Sequence, residues 1–121
     1  DERMMHPLLR VPPVDLAPLP DILTETPGAR VVVLNALKGV ATDLLKQCAG
    51  AGEVCFDIGM LEGVGGIRNM LEHLPLDRLV FGSHAPLFYP ESAVLKLQES
   101  ALDEAERAAI ERENAERLAA P

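Results

Sequence analysis

A chain of 121 residues, 48% hydrophobic and 25% charged, has the size and make-up of one globular domain. Its net charge of -8 argues against nucleic acid and anionic membrane surfaces, because both require a basic face. No run reaches the roughly 18 apolar residues of a membrane span, and the opening DERMMHPLLR lacks a signal-peptide core, so the expected location is the cytoplasm. With only 3% aromatic residues the core must be aliphatic. Cys48 and Cys55 lie in apolar stretches and read as buried free thiols of a reducing compartment. The chain starts at Asp1, with its first methionines at Met4 and Met5, and so reads as a segment of something longer.

The first element expected is a short helix within VDLAPLPDILTETPG, ending near Pro27-Gly28. The run RVVVLN (residues 30–35) follows, then a helix in GVATDLLKQCAGAG with Val40, Leu44, Leu45 and Cys48 on one face. EVCFDI (residues 53–58) comes next, then a helix in GGIRNMLEHLP carrying Ile67, Met70, Leu71 and Leu74. The third apolar run is RLVFGS (residues 78–83). Each run is introduced by turn chemistry, TPGA, AGAG and LPLD, and each is near-continuously apolar, as strands buried on both faces are. Pro90 suits the first turn of a helix to about Ser100. Asp103 and Glu106 form a capping pair for a last helix with an apolar stripe of Ala105, Ala109, Ile110 and Leu118. The organisation expected is one domain, with a Pro-rich lead-in over 1–27, a βαβαβ core over 28–90 and closing helices over 91–121.

Strand–helix alternation at this period implies right-handed crossovers and a parallel sheet, whose ligands gather beyond the carboxyl ends of the strands. His84 directly follows the third run. Asn35 and Lys38 follow the first; Asp57 and Glu62 belong to the second and its exit loop. All five are expected at one rim. Asp57 is an acid inside an apolar strand and needs a partner there, either a site ligand or a structural counter-charge. Phe88 and Tyr89 either roof a pocket or cover the rim. Three or four parallel strands make a small free-standing sheet, and a complete barrel takes about 250 residues.

Three stretches resemble the amidohydrolase superfamily, specifically its amidohydrolase-related metal-dependent hydrolases and decarboxylases. DRLVFGSHAP looks like the last barrel strand, IERENAERL (residues 110–118) is similar to the closing helix with its Asn-Ala-x-Arg-Leu signature, and EVCFDIGMLEG resembles the preceding strand and loop. The order matches over roughly residues 28–118. The resemblance implies the last three or four strand–helix units of a (β/α)8 TIM barrel. It also implies a divalent metal, zinc or manganese, which activates water against an amide, ester or lactone or assists decarboxylation. By the same resemblance His84 stands where the family has its metal-binding aspartate and is expected as ligand or base. His6, in MMHPLL, matches a middle ligand histidine, Asp57 becomes a proton-handling acid, and Asn35, Lys38 and Glu62 become substrate contacts. Asn35 stands where the family often has histidine. Imidazole brings no negative charge, so His84 in the aspartate position alters the usual hydrolytic mechanism. The resemblance also implies a His-x-His ligand pair on the first barrel strand, which has no match in this chain, so the chain alone is expected to be inactive.

Two readings from other classes stand beside this one. A non-catalytic α/β module would bind a phosphorylated ligand through Gly63–Gly66 and Arg68, although Arg68 occupies the place of a fingerprint glycine. A structural protein would pair sheet edges between two copies to form a homo-oligomer. His73, in the last turn of a helix, is expected to be exposed.

Overall fold

The computed structural model describes residue 12 and residues 14–121. Helix α1 (Leu19–Glu25) begins with a proline in its first turn, where a missing N–H costs nothing. Strand β1 (Arg30–Val33) follows, then a 3-10 turn, Ala36–Lys38, and helix α2 (Thr42–Ala51). Strand β2 (Glu53–Asp57) leads through a glycine-rich loop to helix α3 (Gly66–Leu71). Strand β3 is only Leu79–Val80, and helix α4 (Pro90–Glu99) follows its exit loop. The chain then closes through α5 (Glu104–Ala108), a π-helical turn (Ala109–Glu113) and α6 (Asn114–Ala119).

The three strands form one parallel sheet in the order β1-β2-β3. Register pairs Val32 with Cys55 and Asp57 with Val80. Alternation along the strands then divides the sheet between two faces. Val54, Phe56 and Leu79 join Leu45 and Cys48 of α2, Ile67 of α3 and Leu97 of α4 in the main core. Phe56 is fully buried there, worth about 2–3 kcal/mol relative to exposure. On the other face, Leu118 of α6 covers Cys55 and Val80. Beyond them Val32 and Leu34 stay 44% and 68% exposed, and among the described residues β1 has no partner on its outer edge.

The expected chain order of elements and the parallel sheet both hold. Three strands alone do not make a barrel. The third strand is shorter than the run RLVFGS suggested, because the backbone turns away after Val80. Phe81 N donates instead to Ile110 O of the π turn, at 2.8 Å. The capping box is present in full: Asp103 accepts from Glu106 N at 2.8 Å and Asp103 N donates to Glu106 Oε2 at 2.9 Å. The stripe of the last helix differs from expectation. Ala105, in α5, is exposed, while Asn114 is buried at four-residue spacing between Ile110 and Leu118.

The Asn-Ala-x-Arg-Leu segment has a definite structural task at the amino end of the sheet. Asn114 Nδ2 donates to Leu76 O and to Leu79 O, both at 2.8 Å, satisfying two carbonyls at the entry to β3. Arg117 bonds Glu53 Oε2 at 2.7 Å and Asp77 O at 2.9 Å, and Leu118 packs on the sheet. Arg30 caps the last carbonyls of α6, bonding Leu118 O at 2.9 Å and also Ala120 O. Arg78 adds an ion pair to Glu53 at 3.3 Å.

Candidate functional site

The carboxyl ends of the three strands bring together Asn35, Asp57 and His84. Immediately after β1 the backbone reverses at Asn35, which adopts φ 60°, a left-handed conformation that asparagine tolerates better than most residues. That reversal aims Asn35 N at Asp57 Oδ1, 2.6 Å away, and leaves the residue 8% exposed. The second carboxylate oxygen accepts from Gly59 N at 3.3 Å. Asp57 is thus a buried carboxylate, 4% exposed, whose oxygens meet two backbone amides.

Two glycines make room for it. A Cβ on Gly82 would sit 2.3 Å from Asp57 Oδ2 and 2.8 Å from its Cβ, and one on Gly59 would sit 2.8 Å from Oδ2. Glycine at 82 therefore lets the β3 exit pass directly over the carboxylate. That exit delivers His84, itself left-handed at φ 55°. Its Nδ1 meets Asn35 Nδ2 at 3.0 Å. An amide nitrogen only donates, so Nδ1 is the acceptor in this contact. The ring also lies 5.3 Å from the ring of Phe88, tilted by 59°. Asn35 thereby links strand-end carboxylate and imidazole, with its backbone bonded to one and its side chain to the other.

Next to this cluster is a cleft of about 490 Å3 between the β2 exit loop and α4. Leu61, Val64 and Phe88 give it an apolar wall; Ser92 and Lys96 face it from α4. Lys96 Nζ donates to Gly59 O at 2.6 Å and to Ile58 O at 3.2 Å, clamping the backbone that follows Asp57. Burial pushes the Lys96 ammonium below its ordinary pKa, and the charges of Asp57, Glu62 and Glu99 pull the other way.

Of the remaining expected site residues, Glu62 also lines this cleft. Lys38 and Glu62 meet each other, 2.6 Å apart, with side chains 43% and 69% exposed. They form a surface ion pair tying the β1 and β2 exits, of the kind worth about 0–1 kcal/mol. His6 lies outside the described residues. The phosphate reading loses its cation, because the Arg68 guanidinium is bonded to both carboxylate oxygens of Glu106 and to Ala101 O. The Gly66 amide is also engaged, donating to Gly63 O at 3.1 Å. Tyr89 is exposed, so of the two aromatic residues Phe88 lines the pocket. His73 is exposed as expected.

Sequence reasoning passed over Gly59 and Lys96. The only trace of Lys96 was its place four residues after Ser92, which puts both on one helix face. A divalent metal does not fit the described residues by themselves. Among them no three His, Cys, Asp or Glu side chains gather closely enough to hold an ion. Asp57 is already engaged by two amides, and His84 meets Asn35 through Nδ1. No helix among the described residues is long and apolar enough to cross a membrane. No protein-family model, curated protein or solved structure matches the chain.

Proposed function

We propose that this chain forms the carboxyl-terminal portion of an amidohydrolase-like barrel hydrolase acting on an amide, ester or lactone, with His84 as its proton-handling residue. The observation that carries this reading is the convergence of Asn35, Asp57 and His84, from three successive parallel strand ends, into one hydrogen-bonded cluster. The sheet adds support. Among the described residues the outer edge of β1 is unpaired, which is where further strands of a barrel would continue.

Within the cluster Asp57 sets the Asn35 backbone, and the Asn35 side chain in turn orients the imidazole. At the strand tip the imidazole exchanges a proton with a substrate carbonyl oxygen or a leaving group. A divalent metal in the parent would have to take its ligands from other parts of it.

The test is a panel of aryl esters, lactones and amides, with zinc or manganese added, given to this chain and to a longer parent carrying it. Turnover by the parent and none by the chain is expected. Robust turnover by the 121 residues alone overturns the divided site, and a parent inert to every class overturns the hydrolase reading.

A further inference from the structure

We infer that the cleft beside His84 is a binding site for small monocarboxylates with a compact apolar body, the carboxylate held by Lys96. This rests on the reading of the His84 cluster as the reactive end and supplies its substrate class, an amide, ester or lactone whose apolar body also carries a free carboxylate. The argument begins with the lysine. A half-buried ammonium has lost part of its water and is stabilised by a carboxylate when one is near. Both hydrogen bonds of Lys96 go to neutral carbonyls, Ile58 O and Gly59 O, and no carboxylate of the described residues is in ion-pair contact with it. An ammonium has three N–H groups, so one donor remains for a ligand oxygen.

The acids whose charges reach Lys96 do not take this place: Asp57 is held by the amides of Asn35 and Gly59. Glu62 is mostly exposed and bonded to Lys38, and Glu99 is exposed at the end of α4. Water and salt screen charges so placed, whereas the half-buried ammonium is screened far less. Ser92, one turn before Lys96 on the same helix, offers a hydroxyl to the second carboxylate oxygen. Leu61, Val64 and Phe88 form the apolar wall, and the volume of about 490 Å3 suits a molecule of one ring or a short chain. Because the Phe88 ring abuts the imidazole, a ligand anchored at Lys96 extends along this wall toward His84.

The experiment titrates the 121-residue chain with benzoate and hexanoate, with benzamide and benzylamine as controls of similar shape. Amide NMR shifts report the contacts. Saturable shifts at residues 59–64 and 92–96 with the carboxylates, and affinity about tenfold weaker for benzamide, are expected. Lys96→Met should weaken benzoate by a similar factor while leaving the spectrum of the sheet unchanged, and Lys96→Arg should recover part of the loss. If Lys96→Met does not fold, Ser92→Ala serves instead, with a severalfold loss expected. Equal binding of benzoate and benzamide, preference for benzylamine, or no saturable shifts overturns the inference. The hydrolase reading fails separately: carboxylate binding that survives together with parent turnover indifferent to His84 removes that reading and leaves the site.

Discussion

The two ends of the sheet are built on opposite plans. At the amino end, three arginines are tied to partners on the strands and the closing helix. Arg30, Arg78 and Arg117 meet Glu53, the Asp77 backbone and the last carbonyls of α6, and Asn114 holds the entry to β3. At the carboxyl end the backbone is left-handed at Asn35 and His84, a carboxylate is buried against amides, and a half-buried lysine faces neutral carbonyls. The first plan minimises free energy. The second holds polar groups in costly positions that their surroundings over-determine, which is how sites rather than scaffolds are made. The contrast teaches where a substitution should affect folding and where it should affect chemistry.

The largest effect is expected where the plans touch. Gly82→Ala pushes a methyl into the Asp57 carboxylate and its Cβ, so the β3 exit or the buried acid must shift. A loss of about 2–4 kcal/mol is expected in denaturant unfolding, together with displaced amide resonances at Asn35 and Gly59. A Gly82→Ala variant with wild-type stability would remove the close approach on which the site geometry depends. At the amino end, Asn114→Ala abandons two buried carbonyls and should cost about 1–3 kcal/mol without altering ligand binding at the rim. Altered rim binding there would blur the division between the two ends.

The charge network sharpens the same contrast through pH. Arg117 and Arg78 hold the Glu53 carboxyl below its ordinary pKa, and Arg68 does the same for Glu106. Both groups bind protons more readily in the unfolded chain, so their stabilisation is present above the ordinary carboxylate range. It is lost as pH falls through the lowered values. Glu53→Gln should flatten the acid limb of a stability-versus-pH profile by a small amount, since the pair is largely exposed. A steeper limb would contradict the assignment. Smallest of all, Lys38→Ala should leave melting within about 0.5 kcal/mol, as an exposed pair predicts.

Much of this contrast is legible in the residues themselves. The near-continuous apolar runs, the turn residues ahead of them and the Asp103–Glu106 pair specify local structure, and local signals survive without knowledge of partners. Placing His84, Asp57 and Asn35 at one rim needed only the direction of parallel strands. What escaped depends on distant contacts. The end of β3 at Val80 is set by a carbonyl on a helix thirty residues later, and the burial of Asn114 by the carbonyls of Leu76 and Leu79 that it meets. Lys38 and Glu62 carry the right chemistry near the right strands, yet opposite charges on adjacent exits neutralise each other. Lys96 was invisible because a lysine on a helix is usually solvated, and only the carbonyls of residues 58 and 59 give it a different role.

The central claim is that the imidazole at the tip of β3 does chemistry. Its most direct test is hydrolysis of a reactive ester or lactone by the parent protein with His84→Gln, read beside its unfolding midpoint. A fall in kcat of about a hundredfold or more at unchanged stability is the result this account predicts. Turnover equal to wild type in a folded variant would contradict it.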